Sequence, residues 1–366
     1  MAEFGSHPLS KRSLEAWKVL SRHFSRCKHL ELTFPQLDFL KIDDLSFPRL
    51  ESLIEGEYQY LQDSTEDNML WLTRAILEAP KLTQVSTWGI HRMYPFPQLA
   101  RLELRYIIPD EFSVFLDVLP SCKRLESLIL FSLDDSGMEP IAHEMVELPS
   151  LQELIIYGLE AVTLYKDNVI LSTLLSSLSM PSLVTLRLDC EDWPPELLIV
   201  AERSPLLERV TLTFEITFVE DPLPLAPFLQ SVGNLKNFEL NTPWVSDVTS
   251  DSDEDIASDG PVQWSNKVLS TLLDDLRIRP NSPVPLPKLE SLILRLSDIT
   301  LNSEVVERVL EMVRERHSTS RPLLKELSLV RDTTCGSGTL FPYSEAVEKI
   351  REVESIFGVK VVIAEG

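Results

Sequence analysis

One phrase recurs from end to end of this 366-residue chain and limits its architecture more than any other property. An apolar residue and a proline are followed by L-x-x-L-x-L, as in FPRLESL (Phe47 to Leu53), FPQLARLEL (Phe96 to Leu104), LPSLQELII (Leu148 to Ile156), MPSLVTLRL (Met180 to Leu188), SPLLERVTL (Ser204 to Leu212), LPKLESLIL (Leu286 to Leu294) and RPLLKELSL (Arg321 to Leu329). Weaker copies stand at Ser25 to Leu32, Ala79 to Thr87, Ser121 to Leu130 and Gly233 to Leu240. With the first apolar residue of L-x-x-L-x-L taken as position 1, the copies start at Cys27, Leu50, Leu82, Leu99, Leu125, Leu151, Leu183, Leu207, Leu235, Leu289 and Leu324. The intervals are 23, 32, 17, 26, 26, 32, 24, 28, 54 and 35 residues. Self-similarity at such a period marks a stacked array, because one unit alone cannot bury its apolar face.

Within the phrase, positions 4 and 6 are apolar while 3 and 5 are mostly polar, the alternation of a strand with one buried face. Between phrases the period changes. Asp67 to Glu78, Asp110 to Leu119, Asn168 to Leu178 and Ser303 to Arg314 carry apolar residues at helical spacing, and the proline ahead of most strands suits a helix that must stop. Setting aside the 54, the interval averages about 27, inside the roughly 20 to 29 residues of leucine-rich repeats. The predicted fold is therefore α/β: a leucine-rich-repeat solenoid, or horseshoe, of about eleven irregular units, with a parallel sheet on the concave side and helices on the convex side. Position 9, asparagine in the strict repeat, reads Ile90, Ile107, Leu133, Leu159, Glu191, Glu215, Pro243, Ser297 and Asp332, so no asparagine ladder is expected.

Hydrophobic residues at 44% and charged residues at 25% suffice for a large core. No run of about 18 apolar residues and no basic-then-apolar leader occurs, so an intracellular protein, cytoplasmic or nuclear, is expected, with no membrane partner. The net charge of -23 repels phosphate backbones and attracts a basic surface, which points to a protein partner, possible basic character included, and away from nucleic acid. Cys27, Cys122, Cys190 and Cys335 lie far apart with no CxxC, and read as small buried or half-buried thiols. The six histidines form no HExxH, and no phosphate loop or GxSxG occurs, so neither catalytic residues nor a cofactor or metal is expected. His143 with Glu144 and Glu147 reads as solvated polar residues in preference to a metal site.

Residues 1–12 read as a disordered N-terminus, and EFGS (Glu3 to Ser6) has the look of a cloning scar; 13–366 read as one repeat domain. Ser13 to Phe24 reads as a helix capping the first strand, Glu345 to Phe357 as a helix, and Val359 to Ile363 as the last sheet edge. The double interval holds an acidic insertion, 246–260, predicted disordered, in which Ser250 and Ser252 each precede an acid by three residues and are candidate phosphorylation sites. WPPELLIV (Trp193 to Val200) resembles the opening of an F-box, yet the next strand phrase begins at Leu207, too soon for a module of about forty residues; it is assigned to the helix of its own repeat.

Uneven repeats, FPxLxxL phrases, AP or SP ahead of strands and an acidic loop together resemble the repeat portion of the F-box-like leucine-rich proteins numerous in mushroom-forming fungi. The resemblance covers Ser13 to Ile363, and Leu14 to Leu32 is similar to the stretch that follows the F-box in that family. It implies a substrate receptor of a ubiquitin ligase, joined to a cullin adaptor only if the full-length protein carries the F-box that this chain lacks. An F-box-free adaptor or inhibitor, and a regulator of a GTPase-like switch protein, are the rival expectations.

Positions 3, 5 and 7 share the face opposite the leucines, so the open surface can be read by counting. Most entries are polar. Trp88, Ile129, Phe131, Ile155 and Tyr157 are not, and with Arg101, Glu103, Arg105 and Glu153 beside them they form the predicted partner-binding cluster.

Overall fold

The structure, a computed structural model, describes residues 19, 22–32, 45–55, 70–90, 94–133, 143–157, 169–190, 193–214, 225–242, 269–278, 284–297, 303–317, 324–332, 348, 351–352 and 354–365. Positions 1–12, the insertion 246–260 with Ser250 and Ser252, Cys335 and most of Ser13 to Phe24 lie outside the described residues.

Position 1 of every phrase stands two residues ahead of a strand. These strands are β1 (His29–Leu32), β2 (Ser52–Glu55), β3 (Gln84–Thr87), β4 (Arg101–Leu104), β5 (Ser127–Leu130), β7 (Glu153–Ile156), β9 (Thr185–Cys190), β10 (Arg209–Phe214), β11 (Asn237–Thr242), β12 (Ser291–Ser297) and β13 (Glu326–Asp332). With β14 (Lys360–Glu365) as the last edge they make one twelve-stranded parallel sheet in chain order. A separate ribbon pairs β6 (Val146–Glu147) with β8 (Leu178–Ser179). Register is constant: position 3 faces position 3 in Ser52↔Gln84, Arg101↔Ser127, Glu153↔Thr185 and, across the 54-residue interval, Asn237↔Ser291. Side chains of equal rank therefore stack in straight columns. Leucines or their equivalents at positions 1 and 4 from Leu50 to Leu327, and at position 6 from Leu104 to Leu329, are buried in one continuous core with the helices. The geometry is that of a leucine-rich-repeat solenoid.

Among the described residues the long intervals hold the helices α1 (Leu70–Leu77), α2 (Pro109–Val118), α3 (Val169–Ser177), α4 (Leu197–Arg203), α5 (Leu225–Ser231) and α6 (Ser303–His317), joined by a helical run at 269–276. In α2, Pro109 occupies the first turn with Asp110 and Glu111, where negative charge meets the helix dipole, and Phe112, Phe115 and Leu116 turn one face into the core. The 17-residue interval before β4 is too short for such a helix and holds the 3-10 turn Phe96–Gln98. Trp193 to Val200 does lie in its own repeat, leading into α4 between β9 and β10.

The absent asparagine is replaced twice. At position 9, Ile90, Ile107 and Leu133 are buried, and Ile107 bridges Leu133. Ahead of position 1, a polar side chain reaches the preceding unit: Ser150 Oγ donates to the Lys123 carbonyl (2.9 Å), Ser182 Oγ to that of Pro149 (2.6 Å) and Asn234 Nδ2 to that of Pro205 (2.6 Å). Donor and acceptor occupy the same two ranks each time. Lys288 Nζ continues this seam over the double interval by donating to Asn234 Oδ1 (2.6 Å). At position 2, ion pairs join neighbours: Lys28 with Glu51 (2.9 Å), Lys236 with Glu208 (2.7 Å) and Lys325 with Glu290 (2.7 Å).

Arginines in the last turn of one helix close the end of the helix before. Arg203 Nη1 donates to the carbonyls of Ser176 (2.7 Å) and Leu178 (3.2 Å), where α3 finishes. Buried Arg316 donates to Leu276 (3.1 Å), Pro285 (2.8 Å) and Leu286 (3.3 Å). Leu286 has φ 46°, a left-handed backbone that costs a leucine roughly 1–2 kcal/mol, and these bonds hold it. Burial pulls the Arg316 guanidinium down to about 10, still charged at neutral pH.

Candidate functional site

Burial along the strands alternates as the position count requires. In β7, Leu154 and Ile156 are buried while Glu153 and Ile155 are half-exposed; β9 and β10 repeat the pattern. The predicted column thus lies on the face away from the leucine core.

Phe131 and Tyr157, both at position 7, directly follow neighbouring strands of the sheet, β5 and β7, and stack with ring centroids 4.8 Å apart and an interplanar angle of 21°. Phe131 is 37% exposed, the one exposed aromatic ring among the described residues. The guanidinium of Arg187 lies 4.7 Å from the centre of the Tyr157 ring. A stacked aromatic pair is worth roughly 0.5–1.5 kcal/mol and a cation over a ring roughly 0.5–2 kcal/mol. The three planes therefore form a prearranged platform, with little rotamer freedom left to lose on binding.

The remaining predicted residues fall around it. Ile155 is half-buried at position 5 of β7, two residues before Tyr157. Ile129, in register with Glu103 and Ile155, is only 4% exposed and offers almost no surface, contrary to the expectation that it would contact a partner. Glu103 gathers one flank: it accepts from Ser86 Oγ at 2.9 Å and lies 3.8 Å from Arg101 and 3.5 Å from Arg105. Glu153 accepts from Ser127 Oγ at 2.7 Å. Trp88 follows β3 and is separated from Phe131 by the Arg105 rank; it is half-buried, and its Nε1 is enclosed with no hydrogen-bond partner among the described residues. Arg187 and its neighbour Asp189 (3.5 Å) were not in the predicted cluster, although position counting places them in the adjoining strand.

Among the described residues, no group of three or more His, Cys, Asp or Glu could hold a metal, and His143 instead approaches Asp117 (3.7 Å) and the Glu144 carbonyl (2.9 Å). No helix among them is long and apolar enough to cross a membrane. Cys122 and Cys190 are buried free thiols, Cys27 half-buried, and burial pushes the Cys122 thiol up to about 11.

In comparison with known proteins, the chain matches no family model and no curated protein. Among solved structures it is similar to the crystal structure of a TLR13–ssRNA13 complex, at 16% identity and a TM-score of 0.37, over 83% of this chain. The chain spans 30% of that protein's length. So distant a likeness says nothing of a ligand here; the class of protein rests on the sheet and its columns.

Proposed function

We propose that this chain is a non-enzymatic scaffold that holds a protein partner on the open face of its parallel sheet, in the manner of an F-box-like substrate receptor. The observation that carries the reading is the Phe131–Tyr157–Arg187 platform: stacked planes at the strand ends of the open face, with Phe131 exposed and Tyr157 half-buried, where other aromatic rings such as Phe112 and Phe228 pack into the core. The receptor role rests on the family resemblance, and the charge of -23 supports a partner of opposite overall charge.

Recovery of partner proteins on the immobilised chain tests the binding face. Phe131→Ala with Tyr157→Ala is expected to abolish recovery of the specific partner while circular dichroism stays unchanged. Unchanged recovery refutes the reading. Co-purification of a cullin adaptor with the full-length protein separates a ligase receptor from an F-box-free adaptor or inhibitor.

A further inference from the structure

The middle of the open face does not share the net negative charge of the whole chain. At positions 3, 5 and 7 of β4 to β12 the face carries Arg101, Arg105, Arg187, Arg209 and Arg295 against Glu103, Glu153, Asp189 and Glu239, five cations to four anions in a chain of net charge -23. Exposure separates them further. The side chains of Arg101, Arg105, Arg187 and Arg295 are 37–52% exposed, those of Glu103, Asp189 and Glu239 only 17–25%. The acids are also occupied within the face: Glu103 by Ser86, Glu153 by Ser127, and Glu239 by Arg295 (2.9 Å) and Thr211 (3.5 Å).

A guanidinium offers five N–H donors in a planar fork suited to carboxylates. Near the platform these are barely used. Arg101, Arg105 and Arg187 approach their acids at 3.5–3.8 Å, longer than a charge-assisted hydrogen bond, and Arg209 donates from Nε to Thr185 Oγ1 (3.0 Å). Among the described residues, the stacked rings are thus flanked by Arg101 and Arg105 on one side and by Arg209 and Arg187, itself over Tyr157, on the other, each with donors unused.

We infer that the segment entering this face is acidic: a protein segment with an aromatic or aliphatic side chain seated on Phe131 and Tyr157 and Asp or Glu residues on either side of it, bound by the flanking arginines. The inference rests on the open-face reading above and specifies its chemistry. The negative charge of the remaining surface acts at the range of the Debye length, about 8 Å in physiological salt, and sets which partners approach; the arginines act at contact and set which segment fits. That same outer charge disfavours a polyphosphate chain, which would extend beyond the face.

A displayed library of random linear peptides selected on the immobilised full chain, and counter-selected on the Phe131→Ser/Tyr157→Ser variant, tests this. Face-dependent peptides should combine an aromatic or aliphatic residue with an excess of Asp and Glu. Their affinity should fall roughly tenfold or more on Arg101→Gln/Arg105→Gln/Arg187→Gln, as expected on losing charge-assisted bonds; should that variant misfold, Arg105→Glu alone serves. Face-dependent peptides rich in Lys and Arg, or their displacement by labelled single-stranded RNA, overturn the inference and leave open-face binding intact. No face-dependent peptides at all overturns both.

Discussion

Removing the hydroxyl of Tyr94 should destabilise this protein although no atom of the apolar core is touched. Position 6 of the second unit, apolar in the other strong phrases, is Glu55, and it is 1% exposed. Its Oε2 accepts from Tyr94 Oη at 2.6 Å and Thr87 Oγ1 at 2.8 Å, and Thr87 holds position 6 of the next unit. A buried acceptor left short of a donor costs about 1–3 kcal/mol, and Phe fills the Tyr volume without a cavity, so Tyr94→Phe should cost about 2 kcal/mol. Thr87→Val should cost about the same. Replacing all three groups, Glu55→Leu with Thr87→Val and Tyr94→Phe, removes the acceptor with its donors, and stability should return to within about 1 kcal/mol of wild type. Urea titration followed by tryptophan fluorescence, compared at equal slope, measures each. A silent Tyr94→Phe refutes the account; so does a triple variant whose loss equals the sum of the single ones.

The seam ahead of position 1 should be weak link by link: Ser150→Ala and Ser182→Ala should cost about 0.5 kcal/mol each, and Asn234→Ala about twice that, since Asn234 both donates to Pro205 and accepts from Lys288; urea midpoints decide. Cys122 keeps its proton to about 11 when folded and ionises near 9.0 when unfolded, so stability should fall between these pH values by on the order of 2 kcal/mol, a slope that Cys122→Ala should flatten in pH-dependent melts. Burial lowers the pKa of His317, whose ring packs 5.3 Å from that of Phe357, so the unfolded chain protonates first as pH falls below 6.5; stability should decline on that side, and less so in His317→Gln.

The strands were legible because alternation at period two is imposed by the backbone, and the helices because their intervals are long enough for the 3.6-residue period to show. The platform was legible for the same reason: position 7 of two consecutive strands falls in one column, so Phe131 and Tyr157 had to meet. Arg187 needed one more step, the recognition that a cation in the next strand can lie over a ring, and a search for apolar entries passes over it. The burial of Ile129 depends on what lies beside it across the sheet, where Glu103 and Ile155 are its register partners, and no count along one strand reveals that. Glu55 was hidden more deeply, since its donors come 32 and 39 residues later and only the stacked sheet unites them.

Unequal repeat lengths and a constant register coexist here because the pairing that sets the register, with a recurring set of side-chain bonds, lies within the phrase, while bonds such as those of Arg203 and Arg316 join the helices outside it. Backbone pairing, the position 2 ion pairs, the seam ahead of position 1 and the columns of the open face all occur between the residue two before position 1 and position 9, whatever length of chain runs between. The 54-residue interval shows the consequence: Asn237 still pairs with Ser291, Lys288 still reaches Asn234, and Arg295 still meets Glu239 at 2.9 Å. Segments between phrases can therefore vary in length and charge while the face they flank keeps its order. That separation is what allows a chain of net charge -23 to present arginines around its aromatic platform.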